Sequence, residues 1–371
     1  MIPLFNPSFN EKEIRAVTQV IKSGWWGLGP KTKEFEERFA SYTGTKYAVC
    51  LNSATAALHL SLKILDLPEG SEVITTPVTF ISTAFVMHYN NLKPVFADIS
   101  PDTLNLDPDD VRKKITHKTK AILPVHFGGH ICDMDELMSI ASKHNLFIVE
   151  DAAHAAGSSF NGKKAGSFGQ FGCFSFHAVK NLATGDGGMI TLNDKKSYER
   201  LLRLRWLGID KSTFSRKSES YYSWDYDVKE LGFKCHGNDI LSGIGLVQLE
   251  KLEFTNKKRR EIFRKYSEAL KEVKDFVETP VWCDGHISAC HNYVAKAKDR
   301  DMLIEHLNAN GISAGVHYKP LYLHSYYKGL KTNCPVADKI WTKLISLPMF
   351  PDLKNEEIDK VINCIKAFYS K

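Results

Sequence analysis

Short apolar runs alternate along the first half of the chain with stretches whose apolar residues recur every three or four positions. That rhythm is the one of β–α units feeding a parallel sheet. Tyr47-Ala48-Val49-Cys50-Leu51, Val73-Ile74-Thr75, Pro94-Val95-Phe96-Ala97, Ala121 to Val125 and Leu146 to Val149 read as strands. Asn52 to Leu60 reads as a turn opening a helix rich in Ala and Leu, and Met134 to His144 as a helix. Farther on, one long helix is expected from about Gly243 through Leu270, joining a large domain, residues 1–250, to a small one, residues 251–371. Asp301 to Asn310 reads as a helix closed by Gly311, and Ile358 to Phe368 as a final amphipathic helix. Lys211 to Tyr226, rich in Ser, Tyr and charge, reads either as a loop near a site or interface or as an ordinary surface loop. The chain has no internal repeat and no low-complexity tract.

In open parallel sheets, ligands gather beyond the carboxyl ends of the strands. Asp151 stands at such an end, in Leu146-Phe147-Ile148-Val149-Glu150-Asp151, and is followed by Ala152-Ala153-His154. Lys180 follows the compact aromatic run Phe174-Ser175-Phe176 and precedes the glycine-rich Thr184-Gly185-Asp186-Gly187-Gly188. A desolvated lysine loses its proton readily, can condense with an aldehyde, and can then carry protons as a general acid and base. A carboxylate beside a pyridine nitrogen keeps that nitrogen protonated and makes the ring an electron sink. Such a lysine and such a carboxylate are what pyridoxal phosphate requires of a protein.

Each feature also has a plainer reading. A lysine on a turn is commonly a solvated surface group, and an aspartate before small residues is commonly a helix N-cap. Ser53-Ala54-Thr55 opens a helix whose free N–H groups, with the hydroxyls beside them, form an anion site suited to a phosphate; Ser53 alone reads equally as a simple cap. Ser175 is a further candidate phosphate contact. Phe80 reads as a stacking partner for the cofactor ring or as plain core.

Gly27-Leu28-Gly29-Pro30 before Phe35-Glu36, Ser53 to Leu58, Thr79-Phe80, Glu150 to His154, Ser175-Phe176-His177 with Lys180-Asn181, Gln248 to Leu252, and Leu347-Pro348-Met349-Phe350-Pro351 occur in this order. With them the chain resembles, over nearly its whole length, the DegT/DnrJ-type nucleotide-sugar aminotransferases, a branch of the fold-type I pyridoxal phosphate enzymes. The resemblance implies an α/β fold with a mostly parallel seven-stranded sheet, a smaller C-terminal α+β domain, and a homodimer with shared active sites. It assigns Asp151 to the ring nitrogen, Lys180 to the aldehyde, Ser175 and Thr55 to the phosphate, Phe80 to the ring face and His154 to the vicinity of the phenolic oxygen. Relatives send an asparagine across to the partner's phosphate; here the stretch reads Gly232-Phe233-Lys234-Cys235-His236-Gly237-Asn238, so Lys234 replaces it as a point charge, with Asn238 close by.

The same resemblance implies transfer of an amino group from L-glutamate to a keto carbon of a nucleotide-linked keto-deoxy sugar, with pyridoxamine phosphate as intermediate and ping-pong kinetics. The wording His177-Ala178-Val179-Lys180-Asn181 is closer to relatives acting at carbon four. His177 is a candidate sugar-nucleotide contact or a packed histidine, and His317, Tyr318 and Lys319 are candidates to reach the sugar or its phosphates. A cyclitol aminotransferase, a pyridoxamine phosphate-dependent sugar dehydratase and a cofactor-binding regulator without turnover are the alternatives. Relatives that remove a hydroxyl carry histidine where Lys180 stands, which counts against the dehydratase.

Composition narrows the class further. Apolar content of 43% with 25% charged residues is that of a globular enzyme, and 371 residues suffice for one large core and a smaller one. A net charge of +6 suits anionic ligands but is too scattered for nucleic acid. Lys257-Lys258-Arg259-Arg260 is the one basic cluster and reads as a solvated helix face. Eight cysteines without a Cys-x-x-Cys pair read as buried thiols of a reducing compartment, and no metal site is expected. With no signal peptide and no membrane-length apolar run, a cytoplasmic location is expected.

Overall fold

The computed structural model describes residues 1–211, 224–330 and 332–370; most of the loop expected over Lys211 to Tyr226 lies outside the described residues. The chain opens with α1 (Glu11–Ser23), α2 (Pro30–Thr43), β1 (Tyr47–Leu51), α3 (Ala54–Lys63), β2 (Glu72–Thr75), α4 (Ser82–Tyr89) and β3 (Lys93–Phe96). It continues through α5 (Pro108–Lys114), β4 (Thr119–Leu123), α6 (Met134–His144), β5 (Phe147–Asp151), the short β6 (Ser159–Phe160) and β7 (Lys163–Lys164), then β8 (Phe171–Ser175), β9 (Gly188–Leu192) and α7 (Lys195–Leu204). The 31-residue α8 (Asp239–Ala269) leads to β10 (Val277–Glu278), β11 (His286–Ile287), β12 (Tyr293–Ala297), α9 (Arg300–Ala309), α10 (Pro335–Ile340), β13 (Leu344–Leu347) and α11 (Asn355–Tyr369).

Seven strands form one sheet in the order β1-β9-β8-β5-β4-β2-β3, parallel except for β9, which runs antiparallel to both its neighbours. Side chains of a strand alternate between faces, and here both faces are covered. Cys50, Ile74, Ile148 and Met189 pack on one side with Phe35, Phe39 and helices α6 and α8; Val49, Val73, Val149 and Ile190 pack on the other with Leu58 and Leu62 of α3. Two buried faces explain why the strands read as continuous apolar runs. The C-terminal α+β region has its own core, built on the sheet β10-β12-β13 with α9, α11 and the end of α8.

Local signals explain most boundaries, and tertiary contacts explain the rest. Asn10 and Glu13 form a capping box at α1, which Gly24 closes in the left-handed conformation at φ +72. Helix α8 begins at Asp239, four residues ahead of the expected Gly243, because the Asn238 side chain caps it by accepting from the Leu241 N–H at 3.0 Å. Its glycines mark close packing rather than a break: a Cβ on Gly245 would lie 2.7 Å from the Phe35 ring. The basic cluster is not uniformly solvated, which corrects the sequence expectation. Arg259 is buried and its guanidinium donates to Met349 O at 2.8 Å, so the residue fastens α8 to the C-terminal region. Among the described residues, no helix is long and apolar enough to cross a membrane.

Helix α2 starts at Gly29-Pro30 with no side-chain cap of its own. The buried Asp239 carboxylate supplies one from 207 to 210 residues away, accepting from the N–H groups of Gly29, Lys31 and Thr32 at 2.9, 3.0 and 2.9 Å and from the Thr32 hydroxyl at 2.7 Å. Replacing Asp239 by Ala leaves these donors buried and unpaired. We expect a loss of about 3 kcal/mol of stability, measured by urea unfolding; an unchanged midpoint would show that water replaces the carboxylate at no cost.

Candidate active site

The carboxyl end of β5 delivers Asp151 into the interior, where it is 4% exposed. Its Oδ2 accepts from the Thr83 hydroxyl at 2.8 Å and its Oδ1 from the Ala153 N–H at 3.1 Å. Burial pushes this carboxyl up, while the Thr83 and Ala153 bonds and the Lys180 charge pull it back. Lys180 sits in the turn after β8, its N–H donating to His177 O at 2.9 Å, and the turn closes when the Ala178 N–H donates to Gly185 O at 3.0 Å. Burial brings the lysine down to about 8 against the pull of Asp151. The amine is therefore substantially free just above neutrality, which is the state a nucleophilic lysine needs.

The start of α3 lies against the β8–β9 ladder. The Ser53 hydroxyl accepts from the Ala56 N–H at 3.1 Å, so it is used as the cap, while the first N–H groups of the helix, at Ala54 and Thr55, have no intrahelical acceptor. Gly188 pairs with Ser175 across the β8–β9 ladder, and a Cβ on it would come 2.3 Å from the Ser53 backbone. Only glycine lets the start of β9, paired with the end of β8, approach the start of α3 this closely. Gly188 thus brings Ser53 and the free N–H groups at the start of α3 close to the end of β8 that carries Ser175.

A third wall is aromatic and imidazole. His154 Nδ1 accepts from the Gly128 N–H at 3.4 Å, and its Nε2 meets the Tyr318 hydroxyl at 3.2 Å. His317 Nδ1 lies 2.7 Å from the Ser346 hydroxyl. Burial holds His154 well below the usual imidazole range and brings His317 to about 4, the Lys180 charge adding to both. Both rings stay neutral in ordinary buffers. Burial also raises the Tyr318 phenol, which remains protonated.

Other expected residues stand apart from this pocket or at its rim. Phe80 is 59% exposed, so it is not core; it lies just before α4, whose Thr83 reaches Asp151. His177 is exposed rather than packed at a strand end. The Lys234 ammonium lies 3.3 Å from the Trp206 ring centroid, and its segment runs along β1, with the Asn52 N–H donating to Cys235 O at 2.8 Å. Asn238 is engaged as the α8 cap. A groove of about 880 Å³ between α2, the start of β1 and α7 contains none of the expected site residues. Among the described residues, no cluster of His, Cys, Asp or Glu could hold a metal ion.

Sequence reasoning missed three members of the site. Thr83 holds Asp151, and the only hint was its four-residue spacing from Thr79, which lies just ahead of α4, the two hydroxyls being 3.0 Å apart. Asn181 was visible only as the residue after the lysine. His291 lies between Cys290 and Asn292 with no local pattern, yet its ring centroid is 4.5 Å from that of His154.

Comparison with known proteins agrees with this geometry. Residues 7–366 match the model of the DegT/DnrJ/EryC1/StrS aminotransferase family. The chain is 40% identical to an uncharacterised protein of Methanocaldococcus jannaschii, covering 100% of this chain and 98% of that one. It is 38% identical to the spore coat polysaccharide biosynthesis protein SpsC of Bacillus subtilis, covering 98% and 96%. A putative sugar aminotransferase from Streptococcus pneumoniae, solved in its PMP form, superposes with a TM-score of 0.93 at 34% identity, covering 100% of this chain and 99% of that one; it has also been solved in its PLP form. The chain therefore belongs to the DegT/DnrJ/EryC1/StrS aminotransferase family. It is a pyridoxal phosphate-dependent aminotransferase with the fold-type I architecture. The residues present fit that cofactor: a buried carboxylate, a half-buried lysine and the start of α3 gather at one end of the sheet.

Gly188→Ala tests the approach of β9 to α3. We expect the added methyl to push the start of α3 away and weaken pyridoxal phosphate binding about tenfold or more, read by absorbance titration, with far-ultraviolet dichroism unchanged. Binding as tight as in the parent protein would remove this close approach from the phosphate site.

Proposed function

We propose that this enzyme moves an amino group from L-glutamate to the keto carbon, carbon four, of a nucleotide-linked keto-deoxy sugar, as a cytoplasmic homodimer with shared active sites. The observation that carries the reading is the Lys180–Asp151 pair, a lysine at about 8 facing a buried carboxylate at the end of a parallel sheet. The likeness to a putative sugar aminotransferase and to a spore coat polysaccharide biosynthesis protein supports a sugar acceptor. The choice of carbon four rests on the residues His177 to Asn181.

Pyridoxal phosphate, when bound, supplies the electron sink that makes the amino-bearing carbon acidic. Asp151 holds the pyridine nitrogen protonated, and its bonds from Thr83 and Ala153 keep it aimed. Lys180 takes a proton from the carbon of the donor and, in the second half of the reaction, returns one to the sugar carbon. The N–H groups of Ala54 and Thr55 with Ser53 and Ser175 would hold the phosphate, Lys234 and Asn238 would serve a shared site across the dimer, and Phe80 would cover one face of the ring. His154, whose Nε2 meets the Tyr318 hydroxyl, would lie near the phenolic oxygen. His177, His317 and Tyr318 line the approach of the sugar nucleotide. His317 at about 4 acts there as a neutral hydrogen-bonding group rather than as a cation. We also take residues 1–250 and 251–371 as the two domains, with α8 running across the division.

Glutamate added to the loaded enzyme should bleach the visible band of the cofactor, whereas a regulator without turnover would keep it. Lys180→Ala should abolish both that band and amino transfer; retained transfer would falsify the assignment of the lysine. For Asp151→Asn we expect a rate loss on the order of a hundredfold or more with an unchanged thermal midpoint. Near-normal turnover in that variant would take Asp151 out of the chemistry.

A further inference from the structure

The side chain next to Lys180 is tied down on three sides. Asn181 is buried, its Nδ2 donates to Asn256 Oδ1 at 2.7 Å and to Ala289 O at 2.7 Å, and its Oδ1 lies 3.0 Å from His291 Nδ1. Backbone carbonyls at both ends fix the orientation of these amides. Asn256 Nδ2 donates to Ala156 O at 2.9 Å, which turns Asn256 Oδ1 toward Asn181, and Ala289 O can only accept. Asn181 must present its NH₂ group to both. Its oxygen is left for His291, which must carry its proton on Nδ1.

Three separate parts of the chain meet at this amide: the turn that bears Lys180, the middle of α8, and the segment that enters β12. That segment is docked independently, with the Ala289 N–H donating to the Ser158 hydroxyl at 2.9 Å and the His291 N–H to Gly128 O at 2.8 Å. The His291 ring stacks on Phe5 of the N-terminal arm at 5.6 Å and 10°. Gly157, at φ +93, is where a Cβ would come 2.3 Å from Asn256 Nδ2, so even the neighbouring backbone is shaped around the network.

We propose that Asn181 is a positioning residue for Lys180, the joint that holds the lysine's turn against α8 and the approach to β12, with His291 as the clasp that locks it. The proposal rests on Lys180 being the cofactor lysine, which borohydride reduction of the loaded enzyme and peptide mapping test separately. Its physical consequence lies in hydration. Lys180 owes its lowered value first to desolvation; Asp151 favours its charged form, while His154, His291 and His317 face it as neutral rings, with the Tyr318 phenol beyond His154. A turn released from its joint admits water, and the amine moves back up toward the ordinary lysine value.

The test uses cofactor-free protein, so it reads the amine and not turnover. Lys180 is labelled with an amine-selective reagent across the neutral to alkaline range, and the modified peptide is quantified by mass spectrometry to give the midpoint of its titration. The parent protein should titrate at about 8. Asn181→Ala and His291→Phe, the latter keeping a ring stacked on Phe5, should each raise the midpoint by about one unit or more. The double variant should rise no further than the larger single, because the two residues act as one unit. If Asn181→Ala does not fold, His291→Phe decides alone, since it removes a single hydrogen bond. A His291→Phe midpoint equal to that of the parent protein, or a double variant whose shift is the sum of the two, overturns the proposal. A purely structural role would lower the thermal midpoint and leave the labelling midpoint in place.

Discussion

The opposition of one amine and one carboxylate inside a nearly dry pocket is the constraint around which this molecule is arranged. Desolvation alone would neutralise both groups: it raises Asp151 and lowers Lys180, and each partner resists the shift of the other. The compromise is chemically useful. The lysine is left close enough to neutrality to act as a nucleophile and proton carrier, while the aspartate is held by two hydrogen bonds that favour its charged form. The lowered lysine value would not survive in water, so the surrounding fold has to keep water from the amine.

The strand that supplies Asp151 shows how this is done. Glu150, one residue earlier, points to the opposite face of the sheet. There it accepts from the N–H groups of Gly166, Phe168 and Gly169 at 2.7, 2.7 and 2.8 Å and meets His126 Nε2 at 3.0 Å. His126 Nδ1 accepts from the Cys132 N–H, which leaves the ring proton on Nε2, toward the carboxylate. Two adjacent acids therefore serve different ends. Glu150 is consumed in fixing the turn before β8, and that turn sets where β8 begins and hence where Lys180 follows it. Gly172 packs so tightly there that a Cβ on it would lie 2.2 Å from the Gly166 Cα.

A buried ion pair braces the other side of the site. Arg205 donates to Glu36 and, at 3.0 Å, to Cys50 O, while the Cys50 N–H donates to Glu36 at 2.7 Å. The pair ties α2 and the end of α7 to β1, the strand that leads into the Ser53 cradle. Removing one partner of such a pair strands a buried charge, which costs far more than the intact pair contributes. The cradle, the lysine turn and the Asp151 strand are thus each anchored by polar groups placed well behind the reacting atoms.

Local chemistry alone determined much of this protein. Apolar runs gave the strands because both faces of the sheet are covered, and short-range caps gave α1 and α3, since a cap and its helix are neighbours in the chain. Lys180, Asp151 and the Ser53-Ala54-Thr55 turn were legible because each sits at the end of a regular element and carries a distinctive side chain. Tertiary structure alone decided that Thr83 would hold Asp151, that Asp239 would cap a helix 207 residues away, that Arg259 would be buried, and that Asn181 would meet Asn256 and His291. These are contacts between residues far apart in sequence. Nothing in the spacing of a chain encodes them until the sheet has closed and removed the water that would otherwise satisfy the same groups.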